Sequence, residues 1–219
     1  MTKLAFVFPG QGSQSVGMLD SWADNDAVKA VIDEASQALS QDLTTLIADG
    51  PAEDLNLTTN TQPVMLAASY AMYQAYLSAG GKSPELVAGH SLGEYTALTA
   101  AGTITLSDAV RLVRVRADAM QSAVPVGQGG MAAILGLDDE AVLEVCQAAS
   151  TEDSFVEAVN FNAPAQVVVA GHKEAIDRVC VLAKEHGAKR ALPLAVSAPF
   201  HSRLLEPAAQ VLEEALADI

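Results

Sequence analysis

Ser91 stands in Gly89-His90-Ser91-Leu92-Gly93-Glu94, directly behind the apolar run Leu86-Val87-Ala88. A strand that ends in Gly-x-Ser-x-Gly and turns into a helix places its serine on a sharp elbow, with the hydroxyl projecting outward. The glycines allow strand and helix to pass closely. The free N–H groups at the helix start face the serine and suit a developing oxyanion. A serine hydroxyl is a weak nucleophile at neutral pH and needs an adjacent base. Of the four histidines, His90 should leave the elbow in another direction, and His172 and His186 fall at helix ends where capping or solvation suits them. His201 lies in a proline-bounded loop, Val196-Ser197-Ala198-Pro199-Phe200-His201-Ser202, and is the candidate base.

Arg116 is the second residue of interest. At 100° per residue, Arg111, Arg114 and Asp118 share one arc of their helix, and Arg116 falls on the other side among Leu112, Val113 and Met120. An inward guanidinium keeps its proton and calls for an anion. Two roles fit: a structural ion pair with an internal Asp or Glu, or a fork for a substrate carboxylate. Gly10-Gln11-Gly12 resembles half of a dinucleotide fingerprint, but the third glycine would fall at Ser15 and Pro9 interrupts the turn. That loop instead offers backbone N–H groups at the carboxyl edge of a sheet, where a second oxyanion donor belongs.

These residues need a frame. Leu4 to Phe8 reads as a buried strand, and Val28, Val31, Ile32, Ala35 and Leu39 repeat at helical spacing. A helix is expected to start near Pro63, capped by Thr61 or Gln62, and to run to Ser78 before Gly80-Gly81. The Leu86–Ala88 strand and a helical stretch from Tyr95 to Ala101, stopped at Gly102, follow, and then a helix capped by Ser107 that reaches Ala123. Alternating strands and helices predict a parallel sheet covered on both faces. After Gly127 the order changes. Strands are expected at Met131–Leu137, Phe155–Asn160, Gln166–Ala170 and Arg190–Leu194, with helices after Asp138 and over Glu174–His186. That β-α-β-β-α-β order is a ferredoxin-like unit inserted into the first domain. The expected division is 1–126 with 196–219 for the large α/β subdomain, and 127–195 for the small one. The tail, Leu204 to Ile219, keeps a helical apolar spacing to its end.

At 219 residues and 50% hydrophobic, the chain can bury a large core. No apolar run reaches membrane-spanning length, and the opening residues lack the features of a signal peptide. The two cysteines, Cys146 and Cys180, sit in amphipathic patterns with neither zinc nor disulfide spacing, so core packing is expected, and no metal site. A cytoplasmic protein is expected. A net charge of −15, from 27 acidic and 12 basic residues, argues against nucleic acid or an anionic membrane as partner. Basic residues gather locally at Lys173, Arg178, Lys184, His186, Lys189 and Arg190.

Phe8-Pro9-Gly10-Gln11-Gly12-Ser13-Gln14, Thr61-Gln62-Pro63, the Ser91 elbow, Arg114-Val115-Arg116 with Met120-Gln121, and the 196–202 stretch occur in this order through the whole chain. Together they resemble the malonyl-CoA:acyl carrier protein transacylases of fatty acid synthesis, with related domains in polyketide synthases. The resemblance implies an α/β-hydrolase-like large subdomain with a ferredoxin-like insert. It implies that Ser91 is acylated, that His201 is its base, and that Gln11 and Leu92 give backbone N–H groups to the oxyanion. It further implies that Arg116 holds the malonyl carboxylate while Gln62 and Met120 line its pocket. Phe200 matches the malonyl-selective pattern and would crowd a methyl branch, a difference of about 1–3 kcal/mol. The substrates would be malonyl-CoA and phosphopantetheinylated acyl carrier protein, with no further cofactor and with carrier docking near Lys184, Lys189 and Arg190. Members of that family continue past the point matching Ile219, which implies a chain lacking a C-terminal segment that would complete the sheet and orient His201.

A serine thioesterase or esterase of the α/β-hydrolase type is the rival reading. It needs an acid between Ser91 and His201, yet Asp108 and Asp118 sit on helices and Arg116 would have no purpose there. A third reading is a catalytically impaired fragment that only binds its partner.

Overall fold

The computed structural model describes residues 3–125, 127–194, 196 and 198–219. The expected boundary residues Val126 and Ala195, and Ser197 of the histidine loop, lie outside the described residues, as do Met1 and Thr2 of the opening segment. By internal contacts the chain forms two compact units, Met1–Asp118 with Leu212–Ile219, and Ala119–Val211.

In the first unit, the apolar run near the N-terminus forms β1 (Ala5–Phe8). Asn25 then caps α1 (Asp26–Leu39), its side chain accepting the Ala27 and Val28 N–H groups at 3.0 and 3.2 Å. Val28, Val31, Ile32 and Ala35 face the core, the stripe expected from their spacing. Two short helices follow, α2 (Leu43–Asp49), capped by Asp42, and α3 (Ala52–Leu55). Neither is long enough to display a helical period in the sequence.

The helix expected to begin near Pro63 begins earlier, as α4 (Thr58–Ser78), with Pro63 inside it. The reason is a turn closed before the proline is reached. Asn60 and Thr61 N–H donate to the Leu57 carbonyl at 2.8 and 2.7 Å, and the Thr61 hydroxyl is shared between the carbonyls of Leu55 and Leu57. Leu66, Val64 and Ala71 on this helix are fully buried. A leucine so placed contributes about 1.5–3 kcal/mol through burial. β2 (Leu86–Gly89) pairs with β1 in parallel, Phe8 opposite Gly89, and leads into α5 (Gly93–Ala100).

α6 (Leu106–Ala123) is capped by Thr105 in place of the expected Ser107. Asp108 N–H donates to Thr105 Oγ1 at 3.1 Å, and that hydroxyl donates back to the Asp108 carboxylate at 2.7 Å. Ser107 turns outward to Glu34, 2.9 Å away.

The second unit has the β-α-β-β-α-β order: β3 (Gly129–Leu135), α7 (Asp139–Ala149), β4 (Val156–Ala163), β5 (Gln166–His172), α8 (Lys173–Glu185) and β6 (Arg190–Pro193). The strands lie in the antiparallel order β4-β5-β3-β6. The chain is thus an α/β protein with a parallel pair and a separate ferredoxin-like sheet. β3 starts two residues before the expected Met131, because Gly129 and Gly130 are strand residues and not linker. A Cβ on Gly129 would lie 2.5 Å from the Pro199 ring, a close approach that only glycine admits. Cys146 and Cys180 pack in the core under this sheet. Burial pushes the Cys146 thiol up to about 12, with Glu157 adding to the rise. A short α9 (Glu206–Leu216) follows the histidine loop. Among the described residues, no helix is long and apolar enough to cross a membrane.

Candidate active site

The elbow is built by two close approaches. A Cβ on Gly89 would sit 1.9 Å from the Gly93 carbonyl carbon, and one on Gly93 would sit 2.2 Å from the Phe8 carbonyl oxygen. Neither position has room for a side chain, so the strand β1–β2 pair and α5 can meet only at these glycines. Between them Ser91 takes φ 52°, the left-handed region that an L-residue enters at a cost of about 1–2 kcal/mol. The turn is held by Gly93 N–H donating to the His90 carbonyl at 2.9 Å and Glu94 N–H to the Ser91 carbonyl at 3.1 Å. Leu92, 1% exposed, anchors the elbow in the core. The His90 ring leans over Gly10, its Nδ1 3.5 Å from a Cβ placed there.

Arg116 lies on the inward face of α6 and is 8% exposed. One guanidinium nitrogen donates to Gln62 Oε1 at 2.6 Å and the other to Ser91 Oγ at 2.9 Å. The group lies 5.5 Å from the Tyr95 ring centroid. Among the described residues, no Asp or Glu forms an ion pair with it. The ion-pair role left open by the sequence is therefore not the one this geometry presents. A buried cation is held here by an amide, a hydroxyl and an aromatic face. Burial pushes its pKa down, opposed by Tyr95 and Glu94, and a guanidinium remains charged at neutral pH nonetheless. Burial likewise pushes the Tyr95 hydroxyl up, with Arg116 pulling against it.

The structure thus brings Ser91, Gln62 and Arg116 together within the first unit. Gln62 is 1% exposed on α4. Tyr95 was not singled out from the sequence, although it stands four residues after Ser91 on the same helical face. The neighbouring arginines are occupied elsewhere: Arg114 donates to Gln41 and Asn60, and Arg111 pairs with Asp108 at 3.5 Å. Gln11 is exposed in the loop after β1. That loop is braced by Gln14, which accepts Gly12 N–H and donates to Asn56, each at 2.8 Å. Among the described residues, neither Gln11 nor Leu92 N–H donates to a backbone carbonyl.

The remaining candidates belong to the second unit. Met120 and Phe200 are buried in one apolar cluster with Met131, Val168, Ala170 and Leu205. His201 is exposed, at φ 66°. Of the basic residues, Lys173 pairs with Asp177. Arg178 donates to the Ala149 carbonyl at 2.7 Å and the Ser154 carbonyl at 2.9 Å. Lys184, Lys189 and Arg190 are exposed and form no ion pair among the described residues. His186 caps the end of α8 through the Leu182 carbonyl, 2.8 Å away, and His172 accepts the Phe155 N–H at 3.2 Å.

Comparison with known proteins gives the following. The acyl transferase domain family matches residues 5–219. The malonyl CoA-acyl carrier protein transacylase of Salmonella typhimurium is 56% identical over 220 residues, which covers 100% of this chain and 71% of that protein. The crystal structure of an acyl-carrier-protein S-malonyltransferase from Burkholderia pseudomallei superposes with a TM-score of 0.97 at 67% identity, covering 100% of this chain and 71% of that one. A malonyl-transacylase solved in complex with a type II PKS acyl-carrier protein superposes with a TM-score of 0.96 at 49% identity, again over 100% and 71%.

Proposed function

The chain belongs to the acyl transferase family, and from that premise we propose a mechanism in which Ser91 carries a malonyl group between two thiols. The reaction is transfer of malonyl from malonyl-CoA to the phosphopantetheine thiol of an acyl carrier protein, in fatty acid synthesis. The observation that carries the residue assignment is the buried Arg116 guanidinium, 2.9 Å from Ser91 Oγ and without a carboxylate partner among the described residues. A cation desolvated in this way favours an arriving anion, and the planar fork matches a carboxylate. An acyl group whose far end is a carboxylate meets both needs at once.

In the first half-reaction Ser91 Oγ attacks the thioester carbonyl while His201 accepts the hydroxyl proton. The tetrahedral oxyanion is held by the Gln11 and Leu92 N–H groups, the C–S bond breaks, and CoA leaves as a thiol with the proton from His201. In the second, the carrier thiol gives its proton to His201 and attacks the malonyl-serine ester; the C–O bond breaks and Ser91 regains its proton. Arg116 and Gln62 hold the malonyl end so that a thiol, and not water, is aligned. Met120 and Phe200 supply the apolar wall that selects against a methyl branch. In this reading 1–126 with 196–219 is the transferring subdomain and 127–195 the inserted one.

The chemistry uses only the two substrates and these side chains, with no metal and no further cofactor. The exposed Lys184, Lys189 and Arg190 suit an acidic carrier. The cytoplasm is the compartment that keeps two unbridged cysteines reduced. The test is intact-mass analysis after mixing the chain with malonyl-CoA. One malonyl adduct is expected, absent in Ser91→Ala; a folded wild type that gains no adduct, or an adduct that persists in Ser91→Ala, overturns the assignment. Dominant release of free malonate with no thiol acceptor would favour the hydrolase reading.

A further inference from the structure

The turn that carries His201 is strained. His201 sits at φ 66°, a conformation that persists in an L-residue only where its surroundings over-determine it. Several of the bonds that do so are local. Phe200 N–H donates to the Ala198 carbonyl at 3.0 Å, Ser202 N–H and Oγ reach the Pro199 carbonyl at 3.3 and 2.8 Å, and Leu205 N–H donates to the Ser202 carbonyl at 3.0 Å. Local bonds shape the turn, but they do not fix where it points.

Contacts with neighbouring strands contribute to that: Phe200 and Leu205 are buried in one cluster with Met131, Val168 and Ala170, and two polar or close contacts flank the histidine among the described residues. On one side Pro199 packs on Gly129 of β3. On the other, Glu157 of β4 grips Arg203, two residues past the histidine. Its Oε2 accepts the Arg203 backbone N–H at 3.0 Å, and its Oε1 lies 3.3 Å from Arg203 Nε. The Arg203 guanidinium in turn lies 3.6 Å over the Phe155 ring. That ring is packed edge-on against His172, with centroids 4.6 Å apart. The loop before β4 is itself tied down, because Arg178 reaches the Ala149 and Ser154 carbonyls. A lone exposed ion pair contributes little. This one differs because one of its bonds goes to main chain, two residues from the strained His201.

We propose that Glu157 is a positioning residue for the transfer reaction: by accepting the Arg203 backbone N–H and holding the guanidinium on Phe155, it sets the direction in which His201 presents its imidazole. The proposal rests on His201 being the base for Ser91. It does not require Glu157 to touch substrate. Proton transfer depends steeply on alignment, and a displacement of the base of about 1 Å costs on the order of 10- to 100-fold in rate.

The test is a double-mutant cycle read by single-turnover malonylation of Ser91, with Glu157→Ala, Glu157→Gln, His201→Ala and the Glu157→Ala/His201→Ala pair. Glu157→Ala should lower the maximal rate about 10-fold while leaving the malonyl-CoA concentration at half-maximal rate unchanged. Glu157→Gln keeps an acceptor for the Arg203 N–H and should recover most of the rate. In the His201→Ala background, Glu157→Ala should cost nothing further, because the group it positions is gone. A wild-type rate in Glu157→Ala overturns the proposal, and so does an equal loss in the two backgrounds, which would mark a general structural role. If His201→Ala malonylates as fast as wild type, the base assignment falls and the proposal with it; failure of the clamp alone instead leaves His201→Ala slow and Glu157→Ala fast. Should Glu157→Ala not fold, Glu157→Asp, which keeps the charge but shortens the reach, carries the same comparison.

Discussion

Arg116→Met removes the guanidinium while keeping most of the apolar stem, and its effects on rate and on stability should separate. A carboxylate held by two charge-assisted hydrogen bonds gains about 1.5–3 kcal/mol from each. Two such bonds amount to about 3–6 kcal/mol, or on the order of 10²- to 10⁴-fold in malonyl kcat/KM. An acetyl group has no carboxylate to lose, so its acylation rate should change little, and the malonyl-to-acetyl ratio should collapse. Stability should barely move. The variant forfeits the hydrogen bonds to Gln62 and Ser91, a cost of about 1–3 kcal/mol. It also relieves a buried cation that has no ion-pair partner among the described residues, a change of comparable size and opposite sign. Acyl-enzyme formation followed by quenched-flow mass spectrometry with each thioester, beside a thermal melt, measures both. A malonyl-to-acetyl ratio equal to wild type would refute the carboxylate role. A large drop in Tm would refute the claim that the cation is a local burden on stability.

Three further outcomes are expected. Reversing charge with Lys189→Glu and Arg190→Glu should slow transfer to the carrier and leave malonylation of Ser91 unchanged; equal slowing of both steps would place docking elsewhere. The Cys146 thiol, pushed up to about 12 by burial, should not react with a disulfide reagent at pH 8 in the folded chain, and fast labelling under native conditions would contradict its burial. Because its folded pKa is raised, its contribution is fully present below the ordinary thiol range and is lost as pH rises from about 9 toward 12, which a pH series of melts would detect.

Legibility followed the range of the physical cause. The elbow was readable because its demand is steric and local: the spacing of Gly89 and Gly93 about Ser91 already encodes the approach of α5 to the strands. The order of the ferredoxin-like unit was readable from alternating periods and turn residues. Element starts were less so. α4 begins before Pro63 because the Thr61 hydroxyl reaches back to Leu55 and Leu57, and α6 takes Thr105 as its cap because Asp108 answers it. Several residues could have opened either helix, and the bonds actually made decided the matter.

From the sequence by itself came the candidate nucleophile, the candidate base, and the inward face of Arg116, since periodicity and glycine spacing are properties of neighbouring residues along one chain. Whether that inward charge had an acidic partner was beyond it. Charge compensation depends on which side chains from α4, the elbow and α5 arrive at one point, and only the packed structure places Gln62, Ser91 and Tyr95 around the guanidinium in place of a carboxylate. The same holds for Glu157 and Arg203, which lie far apart in sequence and give no sign of each other until β4 and the histidine loop meet.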